Sequence, residues 1–141
     1  MMLTTVLAAA LFLFSTADKT CFDVLGTQYV NSLIQKLQKH PPSKCNCSTN
    51  VTDCLCLPVP SDNCTMPCFQ DGLSRLTNVT TERNLNLNFN WVKKRVEVLH
   101  RKNCQTFSCK QPCTQTTEDN TLAFLKRLLE TFQKENIRSR V

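Results

Sequence analysis

The 141-residue sequence contains only two glycines and two histidines. Scarce glycine argues against an all-β fold, because the tight two-residue turns of such folds rely on glycine for positive φ angles. The histidines, His40 and His100, do not stand at zinc-finger spacing from any pair of cysteines. Beyond residue 17, no apolar run approaches the roughly 20 residues that a membrane-spanning helix needs. The sequence therefore predicts a soluble product that does not insert into a membrane.

The first 17 residues have the features of a signal peptide. Val6 to Phe14 is a run of nine apolar residues, and Ser15 and Ala17 occupy the −3 and −1 positions of a small-residue cleavage site. No lysine or arginine precedes the run, so the α-amino group alone supplies the positive charge before it. We expect residues 1–17 to be removed near Ala17 or Asp18, and residues 18–141 to form one secreted, extracellular domain.

Secretion determines how the cysteines are interpreted. In the cytosol, Cys45-x-Cys47 and Cys54-x-Cys56 could be thiolate metal ligands. In an oxidising compartment, ten cysteines favour five disulfides, so we expect neither a metal site nor a cofactor. The sequence leaves the connectivity open. The cysteines are Cys21, Cys45, Cys47, Cys54, Cys56, Cys64, Cys68, Cys104, Cys109 and Cys113.

Four asparagines lie in Asn-X-Ser/Thr sequons: Asn46, Asn50, Asn63 and Asn78. We predict glycans at Asn50 and Asn78, because both lie in predicted linkers and have valine in the middle of the sequon. Asn46 and Asn63 each flank a cysteine, and earlier formation of its disulfide would hinder glycosylation. Between Cys45 and Cys68, the prolines Pro58, Pro60 and Pro67 exclude a long helix or a central strand.

Apolar residues at helical spacing predict four helices. The first runs from about Val24 to Lys39 and ends before a Pro-Pro pair. The second runs from Pro67 to Thr77, with Thr65 as its N-cap and with Gly72 costing about 1 kcal/mol relative to alanine.

The third helix is predicted from Leu85 to Lys102, with Trp91 and Val98 widening its apolar face. The fourth begins after Thr116 or Thr117, with Glu118 and Asp119 at its positive end, and frays near Asn136.

The links between these helices predict the topology. They are His40 to Asn63, Asn78 to Asn84 and Asn103 to Thr117, which span 24, seven and fifteen residues. A helix of about 16 residues is about 24 Å long, and only the two longer links can return along it comfortably. A long, a short and a long link in this order are the pattern of an all-α, up-up-down-down four-helix bundle with two disulfide-stapled crossovers. In that topology the first helix starts where the third stops, so we predict a disulfide between Cys21 and Cys104.

The formal net charge is +6. This charge could suit an acidic receptor face, heparin or nucleic acid. The basic residues are scattered along the sequence, which favours an ordinary solvated surface and no nucleic-acid partner. On the third helix, Lys93, Lys94 and Arg101 form a basic stripe with only Glu97 to offset it.

Several short motifs occur in the chain together with the ten cysteines: Pro42-Ser43-Lys44-Cys45, Cys54-Leu55-Cys56-Leu57, Pro60-Ser61-Asp62-Asn63-Cys64-Thr65, Val96-Glu97-Val98-Leu99, Gln111-Pro112-Cys113 and Thr131-Phe132-Gln133-Lys134. Together they resemble the motifs of the interleukin-9 family of short-chain four-helix cytokines, and the resemblance covers essentially the whole sequence.

The resemblance implies a secreted cytokine or growth factor, acting as a monomer in the immune response. It implies binding to a private interleukin-9 receptor chain and to the common gamma receptor chain, with activation of Janus kinases and STAT factors. The receptor-binding faces would lie on the first, third and fourth helices. The resemblance assigns Gln133 to the gamma chain, although the pattern alone describes it as a solvated position beside Phe132. It also implies that Lys93, Lys94 and Arg101 attract an acidic patch of the private chain and so speed its association.

Two other classes of function compete with this one. A basic, disulfide-rich ribonuclease would need His40, His100 and a lysine in one cleft, and we expect no catalytic site and no enzyme. A small secreted cysteine-rich inhibitor or antimicrobial binding module is the stronger alternative, but the long helical stripes argue against it.

Overall fold

The computed structural model describes residues 21–47, 54–60, 64–113 and 116–140, of which Thr116 and Arg140 are described by their backbone alone. The predicted signal peptide and the sequon asparagines Asn50 and Asn63 lie outside the described residues.

All four predicted helices are present. They are α1 (Val24–Leu37), α2 (Met66–Val79), α3 (Arg83–Arg101) and α4 (Thr121–Arg140). Short 3-10 turns follow α1 at Pro41–Lys44 and α3 at Gln105–Phe107. In the described parts of the chain, no helix combines the length and the apolar composition needed to cross a membrane.

The described residues also contain a two-stranded antiparallel sheet that the sequence did not predict. Strand β1 (Leu57–Pro60) pairs with β2 (Thr116–Asp119) in a register that places Leu57 opposite Asp119. Two prolines fit in β1 because both strands of such a sheet are edges, where a missing N–H donor is tolerated.

The fourth helix differs from its prediction at both ends. Glu118 and Asp119 belong to β2, and Asn120 caps the helix instead by accepting a hydrogen bond from the Ala123 N–H at 2.9 Å. The predicted fraying near Asn136 is wrong. The helix continues to residue 140 because Asn136 is hydrogen-bonded to α1, and Arg138 and Ser139 both donate to the buried carboxylate of Glu135.

Covalent and hydrogen bonds define the direction of every helix. Cys21, just before α1, is bonded to Cys104, just after α3, which confirms the predicted pair. Cys64 and Cys68 at the start of α2 are bonded to Cys109 and Cys113, which also follow α3. The start of α1 is hydrogen-bonded to Asn136 near the end of α4. Two helices therefore start, and two end, at one end of the molecule, which we call the disulfide-linked end. The bundle is up-up-down-down.

The core lies where α1 packs on α3 and α4, α2 packs on α3, and β1 packs across α2 and α4. Five buried phenylalanines fill it: Phe69, Phe89, Phe107, Phe124 and Phe132. Gly72 of α2 faces this core, and a β-carbon there would lie 2.5 Å from Cζ of Phe124. The glycine that weakens α2 locally is thus what makes room for the Phe124 ring of α4.

Two side chains on these helices do not behave as predicted. Thr65 stands at the N-cap position of α2, but its hydroxyl donates to the Thr106 carbonyl at 3.0 Å and makes no capping bond. Trp91 is 43% exposed and stacks against Tyr29 of α1, with ring centroids 5.5 Å apart. It therefore lies on the surface between α1 and α3 and does not extend the core.

Candidate functional site

The ten cysteines form five disulfides and none is free. Besides the three pairs of the disulfide-linked end, Cys45 is bonded to Cys54 and Cys47 to Cys56. The sulfurs of Cys47, Cys54 and Cys56 lie within 4.8 Å of one another, a spacing that could hold a metal ion if they were thiolates. A cysteine binds a metal ion as a thiolate, and the sulfur of a disulfide is not a thiolate. This cluster is therefore a pair of adjacent crosslinks.

A cleft between α1 and α4 contains the predicted contact residue Gln133. Gln133 is exposed and lines a cleft of about 400 Å³ together with Phe22, Val24, Thr27, Asn136 and Ile137. Ile137 is 66% exposed and Val24 45% exposed, and together they give the cleft an exposed apolar rim, the kind of surface that marks interaction sites. We call this surface the α1/α4 cleft.

The floor of the α1/α4 cleft is held by Asn136. Its side-chain amide donates to the Thr27 hydroxyl at 3.0 Å and to the Asp23 carbonyl at 3.2 Å. Its side-chain oxygen accepts from the Asp23 N–H at 2.7 Å. These bonds fix the position of α1 against α4, so the residues that line the cleft are positioned before any partner arrives.

A second surface lies between α1 and α3. Trp91, with Tyr29 beneath it, is surrounded by Leu87, Asn90, Lys93, Lys94 and Glu97. Leu87 is 46% exposed, and Lys94 is exposed while Lys93 is half-buried. We call this surface the α1/α3 patch. Of the predicted basic stripe, the structure brings Lys93 and Lys94 into the patch, whereas Arg101 lies seven residues further on at the disulfide-linked end.

Sequence reasoning missed the aromatic centre of this patch. The available signal was the position of Trp91 beside, and not on, the stripe formed by Phe89, Val92 and Val96. It also missed Arg95, which lies one turn after Trp91 on α3 and forms an ion pair with Asp23 at 2.8 Å.

The family model of interleukin-9 matches residues 1–128 of the chain. Human interleukin-9 is 54% identical over 138 residues, which is 98% of this chain and 96% of the human protein. Mouse interleukin-9 is 50% identical over 134 residues, covering 95% of this chain and 93% of the mouse protein. The chain belongs to the interleukin-9 family.

Membership of the interleukin-9 family makes the chain a cytokine and not an enzyme. The positions of the two histidines also argue against a shared catalytic cleft. His40 follows α1 and is hydrogen-bonded with the Ser43 hydroxyl at 3.0 Å, whereas His100 ends α3 and contacts the Phe107 carbonyl at 2.7 Å. Since α1 and α3 are antiparallel, the two rings lie at opposite ends of the bundle and cannot act in one cleft.

Two sequon asparagines of this interleukin-9 family member are described. Asn46 is exposed and lies between two disulfide-bonded cysteines. Asn78 is exposed in the last turn of α2, so its assignment to a linker is wrong. Its side chain is exposed, as glycosylation requires.

Proposed function

We propose that the chain is a secreted, monomeric cytokine that binds two receptor chains through two separate surfaces. The α1/α3 patch binds the private interleukin-9 receptor chain, and the α1/α4 cleft binds the common gamma receptor chain. Bringing both chains together activates Janus kinase–STAT signalling in immune cells. The observation that carries this proposal is the presence of two distinct exposed apolar surfaces on opposite sides of α1, each bordered by polar residues.

The α1/α3 patch has the composition of an interface centre. Tryptophan and tyrosine contribute much of the binding energy at protein interfaces, because they bury a large area with few rotatable bonds. Trp91 packs against Tyr29, and this contact restricts the ring before binding. Lys94 lies at the rim, where charge raises the association rate more than it lowers the dissociation rate.

The α1/α4 cleft is different in character. Apart from Gln133 and Asn136 its lining is mainly apolar, and Asn136 already forms three hydrogen bonds with α1. Gln133 is thus the polar group of this surface that is available to a partner. A buried interface would require its amide to be hydrogen-bonded by the gamma chain, so a charged replacement would be costly.

Surface plasmon resonance with both receptor ectodomains tests this division. Charge reversal at Lys93 and Lys94 should slow association with the private chain, most strongly at low salt. Reversal of Lys36 and Lys39, exposed near the far end of α1, is the matched control and should have little effect.

The Gln133→Asp variant should keep private-chain binding and lose recruitment of the gamma chain by about tenfold or more, as expected for one unsatisfied buried polar contact of about 1–3 kcal/mol. Gln111→Asp, also exposed but distant in sequence, is its control. Equal loss of both bindings for Gln133→Asp, or no loss of either, would contradict the assignment of the α1/α4 cleft.

A further inference from the structure

We propose that the disulfide-linked end of this cytokine binds sulfated glycosaminoglycans. The proposal requires that the chain is exported, but it does not depend on which receptor chains it binds. Exposed cations gather at this end, on the last residues of α3, on the loop that follows it and on the last turns of α4. They are Arg101, Lys102, Lys110, Lys134 and Arg138.

Of the carboxylates of this end, Glu135 offsets Arg138, and Asp23 is paired with Arg95, which is not among those cations. Asp23 and Glu135 are 3% and 0% exposed, so both are withdrawn into the protein. Glu135 also accepts hydrogen bonds from the Thr106 N–H and hydroxyl. The described residues therefore present a surface at this end whose exposed charge is positive. The next carboxylates are Glu97 on α3, one turn before Arg101, and the exposed Glu130 on α4, one turn before Lys134.

The opposite end of the bundle carries a similar number of exposed cations, but exposed carboxylates lie among them. Lys36, Lys39, Lys44, Arg83 and Lys126 are exposed there. Exposed Glu82 and Glu118 lie among them, and Asp119 lines the same cleft as Lys44 and Lys126. The basic residues look evenly scattered along the sequence, but the fold separates a positive end from a mixed one. This segregation raises the local potential that an extended polyanion encounters.

The cations of the positive end are mounted on a rigid scaffold. Lys110 lies between Cys109 and Cys113, which are bonded to the start of α2, and Lys102 is two residues from Cys104, which is bonded to Cys21. The Thr106–Glu135 hydrogen bonds hold this loop against α4. A rigid backbone removes part of the conformational entropy that binding would otherwise cost, and Lys and Arg both form strong charge-assisted bonds with anionic oxygens.

The same surface fits nucleic acid and membranes less well. Single-stranded nucleic acids are bound by basic grooves that also present aromatic rings for stacking, and the exposed Trp91 is instead packed on Tyr29 in the α1/α3 patch. Membrane-surface helices combine basic residues with a broad apolar face, whereas exposed Ile137 belongs to the α1/α4 cleft. A sulfated polysaccharide needs only an array of fixed cations.

The test is binding of the secreted glycoprotein to immobilised heparin, as a function of salt. We expect retention at physiological ionic strength. The Arg101→Gln, Lys110→Gln, Lys134→Gln triple variant should bind about tenfold or more weakly and show a shallower salt dependence, because fewer counterions are released. The control is Lys36→Gln, Lys39→Gln, Lys126→Gln, which lowers the formal net charge by the same three units at the other end. It should bind almost as tightly as the wild type.

Three results would overturn the proposal. Equal weakening by both triple variants would mean that net charge alone governs retention. Equal binding to fully desulfated heparin would remove sulfate from the explanation, and tighter binding to single-stranded DNA or to phosphatidylserine vesicles would assign the surface to another polyanion. Circular dichroism of each variant checks the fold, and since all six positions are exposed, the helical signal should be unchanged.

Discussion

Asp23 and Arg95 form an ion pair at 2.8 Å between residues that are 72 positions apart in the sequence. The Asp23 carboxylate also caps α1 by accepting a hydrogen bond from the Gly26 N–H at 2.9 Å. Its backbone N–H and carbonyl bond to Asn136 of α4. One residue thus joins three helices beside the Cys21–Cys104 crosslink, and it sets the position of α1 on which both proposed receptor surfaces depend.

The Asp23→Ala variant should lower the free energy of unfolding by about 2–3 kcal/mol, because it removes both an N-cap and the buried partner of Arg95. Asp23→Asn keeps the capping oxygen and should cost about 1 kcal/mol. Chemical denaturation with the disulfides intact measures both values. The coupling between Asp23→Asn and Arg95→Gln in a double-mutant cycle should be about 1 kcal/mol, since Arg95 is partly exposed. Additive effects would show that the pair contributes nothing.

Replacing Gly72 with alanine should destabilise the protein even though alanine favours the helix by about 1 kcal/mol. The added methyl would press against the Phe124 ring, and overpacking of this kind costs about 1–3 kcal/mol. In a Phe124→Leu background the same substitution should be less harmful or stabilising. Thermal denaturation of the four proteins measures this, and stabilisation by Gly72→Ala alone would contradict the tight contact between Gly72 and the Phe124 ring.

Removing disulfides should reveal an order set by loop length. The Cys21–Cys104 bond joins residues with a sequence separation of 83, whereas Cys47–Cys56 has a separation of 9. In the chain-entropy model these loops contribute about 4.5 and about 2.6 kcal/mol respectively. Serine pairs at each position, compared by denaturant unfolding, should therefore show the larger loss for Cys21 and Cys104. A larger loss for Cys47 and Cys56 would contradict this order.

Secreted material should carry glycans at Asn50 and Asn78, and glycopeptide mass spectrometry measures their occupancy. Asn78 is exposed in the last turn of α2, with the sequon threonine at the C-cap position. Asn46 is also exposed, but its position between two crosslinked cysteines should reduce its occupancy if the disulfides form first. Bare Asn50 and Asn78 in secreted protein would refute the prediction.

The sequence by itself determined the number of helices, the apolar stripes and the order of long and short links. These features are local: a stripe such as Val30, Leu33, Ile34 and Leu37 repeats at the helical period whatever the helix packs on, and all four residues are buried. Chain length along each link then restricted the directions of the helices, which is why Cys21–Cys104 could be predicted. The number of disulfides followed from the even cysteine count and the predicted secretion.

Only the tertiary structure decided which residues meet across long separations. The other four disulfide pairings, the β1–β2 sheet and the Asp23–Arg95 pair depend on where separate segments lie in space, and no local pattern contains that information. The same holds for the surfaces. Trp91 is a residue type usually found in the core, but the fold leaves its ring exposed beside Tyr29. The cations are scattered along the sequence, but the fold gathers several of them at one end and buries Asp23 and Glu135 there. Burial depends on the neighbours that the fold supplies, and charge segregation depends on which helix ends it brings together.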